Sequence, residues 1–310
     1  MKHFTSKFPM IKMLIFLFTL VAMGSCRRPK PAIVFQSDFG LKDGAVSAMK
    51  GVALEVDPDL NLYDLTHEIP PYNIWEAAYR LQQTAPFWPK GTIFVSVVDP
   101  GVGTERKSVV MKSRSGHYFV TPDNGTLTLI AESLGIESIR QIDEELNRRK
   151  NSLESYTFHG RDVYAFTAAR LAGNIISFEK VGALLPSNVL KMEYQQPTVN
   201  GDSILGNIPI LDIQYGNVWT NIRDTLWRKL SIKNGDSVSV RILKTGVEVY
   251  HGSMPFVTTF GDVPERKPLA YMNSLMNLSL ALNMWNFSDS FHIQSGPEWK
   301  IIIKKNNLGN

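Results

Sequence analysis

Hydrophobic and polar positions follow two different periods in the first half of the chain. Short runs of apolar and β-branched residues, such as AIVFQS and TIFVSVV, predict buried strands. Apolar residues at helical spacing predict helices between them. Strands are predicted over 32–37, 60–65 and 92–98, helices over 43–56, 74–87, 127–134 and 161–172, and a hairpin over 109–120 that turns at 113–116. This alternation favours an α/β domain with a largely parallel sheet and flanking helices.

The pattern changes in the second half, where short strands are separated by turns that contain Gly and Asn. Strands are predicted over 204–213, 237–243, 247–250 and 299–304. We therefore expect an α/β domain over 32–185, a linker over 186–197 and a second, mostly β domain over 198–310. A chain of 310 residues with 44% hydrophobic content has room for both domains.

The basic charge of the chain is concentrated at its N-terminus. Residues 1–30 contain six Lys and Arg residues and no acid, so removing them from the net charge of +4 leaves the rest at −2. A nucleic-acid-binding domain needs basic residues clustered on its folded part. The composition therefore argues against nucleic acid as a partner.

The first 25 residues have the organisation of a secretory signal. Three lysines precede the apolar run 13–23, and the small residues Gly24 and Ser25 follow it. A membrane-spanning helix needs about 20 apolar residues, which is more than this run offers. We expect residues 1–25 to be a signal peptide.

Cys26 is the only cysteine, and its place after Gly24 and Ser25 resembles a bacterial lipobox. The sequence predicts a lipid-modified Cys26, a tether over 26–31 and an exported protein, attached as a periplasmic or outer-membrane lipoprotein. Simple secretion with a free thiol is the alternative.

Polar clusters follow the predicted strands, where ligands collect in parallel α/β sheets. Asp38 and Asp43 follow the first strand, and Asp99 and Arg106 follow the third. His159 precedes a helix in the segment FHGRD. Each cluster alone is also explained by turn chemistry, but together they indicate one polar pocket.

Several familiar chemistries lack their motifs. The sequence has no GxSxG elbow, Walker A loop or GxGxxG after the first strand, which argues against a serine hydrolase, a P-loop NTPase and a dinucleotide-binding fold. His67, His159 and nearby acids are possible metal ligands, so a metal-dependent hydrolase stays an alternative function. The sequence has no HExxH or CxxC spacing that would favour it.

The ordered motifs SDFG, VDPGVGTER, PDNG, FHGRDV and YGNVWTNI resemble the S-adenosyl-L-methionine (SAM) hydrolase family, the SAM hydroxide adenosyltransferases related to fluorinase and chlorinase. The resemblance covers residues 32–283. It implies an N-terminal α/β domain, a C-terminal β-barrel domain and a homotrimer whose active sites lie between subunits. It also implies hydrolysis of SAM to adenosine and L-methionine, with SAM as substrate and no cofactor or metal.

The resemblance also assigns roles to residues. Asp99, Arg106 and His159 correspond to the set that holds and polarises the attacking water. The implied substrate-binding residues are Asp38 at the ribose hydroxyls, Tyr72 beside the sugar, Asp212 and Ser274 on the methionine side, Asn217 and Phe260 at adenine, and Trp219 nearby. We add Asp43 as a substrate-binding candidate, because it belongs to the polar cluster after the first strand. Halogenases of this group lack the water-binding set and carry an extra loop near 98–112, so the residues favour a hydrolase.

The chemistry that the resemblance implies suits such a pocket. A sulfonium is already a good leaving group, so the difficult step is to hold a water in line with C5′. Holding reactants in attack geometry supplies about 7–11 kcal/mol.

One segment departs from the family pattern. Residues 284–287 (MWNF) replace small residues that approach adenine, which predicts either a narrower nucleoside pocket or a differently packed loop. A non-catalytic nucleoside-binding lipoprotein is a further alternative, because SAM is a cytosolic metabolite.

Overall fold

The computed structural model describes residues 29–306. The predicted signal peptide 1–25 and the predicted lipidation site Cys26 lie outside these residues. Within residues 29–306, no helix is long and apolar enough to cross a membrane.

The N-terminal domain contains a seven-stranded sheet in the order β2-β1-β3-β5-β4-β6-β7. Its strands are β1 (Ala32–Ser37), β2 (Asn61–Thr66), β3 (Ile93–Val97), β4 (Ser108–Ser113), β5 (Tyr118–Pro122), β6 (Ile136–Gln141) and β7 (Leu184–Leu185). β1 pairs in parallel with β2 and β3, and β3 pairs in parallel with β5. β4 lies antiparallel between β5 and β6, and β7 is antiparallel to β6. The sheet is therefore mixed but largely parallel, which confirms the predicted fold class.

Helices cover both faces of this sheet. They are α1 (Ala45–Val56), α2 (Ile74–Thr84), α3 (Thr128–Leu134), α4 (Glu144–Asn147) and α5 (Phe166–Ala172), with a π-helical segment at Gly160–Ala165 and 3₁₀ turns at Ala85–Phe87 and Phe178–Lys180. Ile33 and Phe35 of β1 face a core shared with α1 and α5, whereas Val34 faces a core shared with α2 and α3. Successive strand residues point to opposite faces, so burial of both faces explains the continuous apolar run.

Two predicted helices are modified locally. The helix predicted over 74–87 ends as an α-helix at Thr84 and continues as a 3₁₀ turn that contains Pro86. The helix predicted over 161–172 begins with the π-helical segment, in which Gly160 packs against Val97. The second change matters for the site, because His159 immediately precedes that segment.

The C-terminal domain consists of two antiparallel sheets around one core. Its strands are β8 (Thr198–Asn200), β9 (Ser203–Asn207), β10 (Ile210–Asp212), β11 (Asn217–Arg223), β12 (Ser237–Lys244), β13 (Val247–Pro255), β14 (Pro268–Met272), β15 (Asn277–Leu282) and β16 (Trp299–Lys305); its short helices are α6 (Asp224–Trp227) and α7 (Phe287–Ser290), with 3₁₀ turns at Arg228–Leu230 and Phe260–Asp262. The sheet orders are β10-β11-β15-β14 and β13-β12-β16-β9-β8. An isolated bridge between Phe256 and Ala270 joins the two sheets. This arrangement is consistent with the predicted barrel.

Aromatic residues connect the two domains. The indole nitrogen Nε1 of Trp75 in α2 donates to the carbonyl of Pro209 at 2.7 Å, and the ring of Tyr194 lies 4.9 Å from that of Trp75. Trp219 of β11 packs against the same cluster. The buried indole hydrogen bond orients the β10–β11 hairpin relative to the N-terminal sheet.

A pair of glycine substitutions tests the packing within the N-terminal domain. Gly182 has φ of 152°, and an added Cβ would lie 2.2 Å from the carbonyl oxygen of Gln141. We expect Gly182→Ala to lower the free energy of unfolding by more than about 1 kcal/mol. Gly51 lies exposed within α1, with no atom within 4 Å of its added Cβ, so Gly51→Ala should stabilise by about 0.5–1 kcal/mol. Thermal unfolding measures both effects, and equal melting temperatures for the two variants would contradict the packing described.

Candidate active site

A cavity of about 380 Å³ opens where β1 and β3 end. Asp38 directly follows β1, and Asp99 lies two residues after the end of β3. Because these strands are parallel neighbours, both carboxylates reach the same edge of the sheet. The cavity is lined by Asp38, Phe39, Pro71, Tyr72, Val97, Asp99, Val102, Thr157, Phe158, His159 and Gly160.

Asp99 and Arg106 form a bidentate ion pair at one side of this cavity. Arg106 Nε donates to Asp99 Oδ1 at 2.8 Å, and Nη2 donates to Oδ2 at 2.5 Å. The loop between β3 and β4 turns back on itself, with Gly103 at φ of 79°, and so brings the two side chains together. Both are mostly buried, with side-chain exposures of 5% for Asp99 and 11% for Arg106. Burial lowers the pKa of Arg106, but the hydrogen bonds to Asp99, together with the charges of Asp99, Tyr164 and Glu144, raise it overall.

His159 also lines this cavity. The residue is 4% exposed, and its Nε2 lies 3.2 Å from Nη2 of Arg148. Its other ring nitrogen, Nδ1, is buried and has no hydrogen-bond partner among residues 29–306. A buried nitrogen without a partner is unusual in folded proteins and calls for an explanation.

Four further polar residues join these walls behind the cavity, and none of them was among the residues predicted from the sequence. Arg106 donates to the Ser108 hydroxyl at 3.1 Å, and Ser108 lies within hydrogen-bond distance of Tyr164 and Glu144. Glu144 accepts from Arg148, which reaches His159. The predicted water-binding residues are therefore the two ends of one continuous polar network.

Two further groups of this network have shifted pKa values. The Arg148 guanidinium, which donates to Glu144, lowers the pKa of that carboxyl despite the opposing effect of burial. Burial raises the pKa of Tyr164 above its ordinary value, so its phenol stays protonated. The network therefore pairs the guanidinium of Arg106 with Asp99 and that of Arg148 with Glu144.

Asp38 and Tyr72 form the third wall. The backbone nitrogen of Tyr72 donates to Asp38 Oδ2 at 2.8 Å, while its side chain is 72% exposed. Tyr72 has φ of 68°, a rare conformation for a residue other than Gly, and it lines the cavity together with Asp38. An exposed aromatic ring and a carboxylate in one cavity suit a sugar, which has both apolar and hydroxyl faces.

His67 supports this wall from below. The Ser37 hydroxyl lies 2.7 Å from His67 Nδ1, and Asp64 Oδ1 lies 3.0 Å from His67 Nε2. The carbonyl of His67 accepts from Gly40, next to the Asp38 turn. Both ring nitrogens of His67 thus have partners within the protein. Among residues 29–306, no group of three or more His, Cys, Asp and Glu residues is arranged to hold a metal ion.

Asp43 lies outside the cavity lining. Its carboxylate accepts from the backbone nitrogen of Ala45 at 2.8 Å, at the N-terminus of α1. The structure therefore shows a role for Asp43 in helix capping, where a carboxylate stabilises unpaired N–H groups.

The predicted residues of the C-terminal domain do not line this cavity of the same chain. Asp212 and Asn217 face each other across β10 and β11, and Asn217 Nδ2 donates to Asp212 Oδ2 at 3.1 Å. The ring of Phe260 is partly exposed and lies 4.9 Å from that of Tyr271. Ser274 lines a separate groove of about 740 Å³ between the domains. The chain therefore presents its predicted site as two separate halves.

The unusual segment 284–287 divides into exposed and buried residues. Met284 is 80% exposed with φ of 56°, and the Arg266 guanidinium lies 4.3 Å above the centre of the Trp285 ring. Asn286 caps α7, and Phe287 is fully buried in the C-terminal core. Only Met284 and Trp285 are thus placed to meet a ligand or another subunit.

Comparison with known proteins identifies the same two domains. Residues 33–182 match the SAM hydroxide adenosyltransferase N-terminal domain, and residues 206–300 match the C-terminal domain of that family. The chain is 35% identical to the (R)-S-adenosyl-L-methionine hydrolase of Methanocaldococcus jannaschii, with 79% of this chain and 92% of the relative covered. It is 28% identical to a fluorinase of an Actinoplanes species, with 86% and 95% covered. A crystal structure of a conserved protein from Thermotoga maritima matches with a TM-score of 0.80 and 35% identity, covering 88% of this chain and all of that one. The chain belongs to the SAM hydroxide adenosyltransferase family.

Proposed function

We propose that this chain hydrolyses SAM to adenosine and L-methionine by in-line attack of a water on C5′. The observation that carries the proposal is the cavity that both Asp99 and His159 line, with Asp99 held by the bidentate pair with Arg106. Relatives named as SAM hydrolases cover most of the chain. The reaction needs no acid at sulfur, because a sulfonium leaves as a neutral thioether.

Each wall of the cavity has a role in this reaction. Asp38 accepts hydrogen bonds from the ribose hydroxyls, and Tyr72 covers the sugar. Asp99 and His159 hold the water, and Arg106 orients Asp99 through the bidentate ion pair. Fixed dipoles and charges stabilise the transition state without the reorganisation that water would require. No cofactor or metal takes part in the proposed reaction.

The choice of water over halide rests on the same residues. The halogenases that resemble this chain lack the set formed here by Asp99, Arg106 and His159. Here the set is present, and the segment between β3 and β4 is short. We therefore assign the chain to the hydrolase branch.

The complete site includes the C-terminal domain of a second subunit in a homotrimer. Asp212 and Ser274 would contact the methionine part, and Asn217 and Phe260 the adenine, with Trp219 nearby. Their absence from the cavity of their own chain supports this arrangement. A closed ring of three subunits forms three equivalent sites by joining unlike faces.

The location proposed for the protein is extracytoplasmic. The lysines, apolar run and Cys26 at the N-terminus support export and lipid attachment at the periplasmic or outer-membrane surface. The substrate of such an enzyme would be SAM that has left the cytosol.

The first test of the activity is incubation with SAM. We expect adenosine and methionine to form at equal rates, with or without EDTA, and Asp99→Asn to lower kcat by about 10²–10³-fold. Mass spectrometry measures both products, and circular dichroism checks that the variant is folded. Binding of SAM without turnover by folded wild-type protein would instead identify a binding protein, and loss of activity in EDTA would indicate a metal enzyme.

Mixed oligomers test whether the site is shared between subunits. Asp99→Asn subunits lack the water site, and Asn217→Ala/Phe260→Ala subunits lack the adenine contacts. When the two are co-expressed in equal amounts, random assembly gives about one quarter of the sites two intact halves. We expect activity near that fraction of wild type, well above either variant alone. Activity no higher than the mean of the separate variants would place the whole site within one subunit.

Lipid attachment is tested by metabolic labelling in a bacterial host. Labelled palmitate should be incorporated into the full-length protein, and the protein should fractionate with membranes. Cys26→Ser should abolish both, because it removes the thiol that carries the lipid. A soluble, unlabelled wild-type protein in the periplasm would indicate simple secretion.

A further inference from the structure

A buried arginine determines the chemical form of the histidine in the cavity. The side chain of Arg148 is 3% exposed, and its Nη2 lies 3.2 Å from His159 Nε2. The same Nη2 donates to Glu144, and the guanidinium lies 4.9 Å above the centre of the Tyr156 ring. Arg148 is thus held on two further sides while it contacts His159.

Two neighbours compete for His159 Nε2. A guanidinium has only donors, so at 3.2 Å it requires a lone pair on Nε2. Glu144 Oε2 lies 3.5 Å away and would require a proton on Nε2, but N–H···O bonds are normally 2.7–3.2 Å long. The carboxylate also already accepts from Arg148. The contact with Arg148 therefore decides the tautomer, and the proton of the neutral ring lies on Nδ1.

We infer that Arg148 is a positioning residue that holds His159 as a neutral hydrogen-bond donor, with Nδ1–H directed at the attacking water. Nδ1 is the ring nitrogen with no partner among residues 29–306, and His159 lines the cavity. His159 therefore orients the water and does not accept its proton.

This inference rests on the proposed hydrolysis and completes its proton balance. The water oxygen forms a bond to C5′ while the C5′–S bond breaks, and the electron pair of that bond goes to sulfur. Methionine leaves as a neutral thioether. The proton released from the water passes to the Asp99 carboxylate, which lines the same cavity and keeps lone pairs beyond those used by Arg106.

The tautomer is measured directly by nitrogen NMR of the protein labelled with ¹⁵N-histidine, with His159 assigned from the spectrum of His159→Asn. We expect wild type to carry its proton on Nδ1, and Arg148→Met to lose this preference. Arg148→Lys should retain it, because an ammonium also only donates. The matched control is Arg149→Met, since Arg149 pairs with Glu55 at the surface. A proton on Nε2 in wild type, or an unchanged tautomer in Arg148→Met, would overturn the inference.

Activity provides the second measurement. Arg148→Met should lower kcat by about 10²-fold or more with little change in KM, whereas Arg149→Met should match wild type. His159→Asn, whose amide can donate from a position near Nδ1, should retain at least about tenfold more kcat than His159→Ala. Equal kcat for these two variants would argue that His159 takes the proton.

These measurements separate the inference from the proposed function. If wild type failed to hydrolyse SAM, the function would be wrong, but the tautomer would still show whether Arg148 controls His159. If wild type were active with Nε2 protonated, the function would stand and the role of Arg148 would be wrong.

Discussion

The ion pair between Asp99 and Arg106 is the interaction on which the rest of the site depends. Removing two charges from water costs several kcal/mol for each ion, and the cost is offset only when the pair has good geometry and further hydrogen bonds. Arg106 meets this condition by also donating to Ser108 and by lying 5.9 Å from the centre of the Tyr164 ring. Because each charged group needs partners, the polar network extends to Glu144 and Arg148, and it ends at His159.

This continuity makes the site rigid before substrate arrives. The network ties the strand-end loop after β3 to β4, to α4 and to the π-helical segment that follows His159. Water attack on a sulfonium needs little acid or base strength but strict alignment, since the leaving group is already activated. A preorganised pair of water-binding groups therefore suits the reaction better than a strong general base.

In the proposed enzyme, the separation of the site into two halves has consequences for specificity. The N-terminal half would hold the water and the sugar, and its cavity lies at the edge of a sheet that is buried on both faces. The C-terminal half presents Phe260, Met284 and Trp285, all partly or mostly exposed. Differences in the nucleoside that family members accept would thus arise at the second half without disturbing the water site.

Much of the fold could be predicted from the sequence because it follows from local pattern. The apolar run 92–98 corresponds to β3, and the helical stripe in 43–56 corresponds to α1. A strand buried on both faces leaves a continuous apolar run, whereas a helix buried on one face leaves apolar residues at helical spacing. The strand β6 and the second half of β13 were missed because they are rich in polar residues and lack a regular alternation. The strands β11, β14 and β15 were not predicted either. The predicted strand 204–213 is two strands, β9 and β10, with Pro209 between them.

The sequence by itself determined the identity of the motifs and, through the order of strands, that Asp38, Asp99 and His159 would meet. It did not distinguish Arg148 from Arg149 or Glu144 from Glu145, because a sequence does not show which of two adjacent residues of the same type is buried. Only the tertiary structure decided that one of each pair is turned inward to the network while Arg149 pairs at the surface. The reason is physical: a charge enters the interior only where the fold supplies partners for it, and those partners come from segments far apart in the chain.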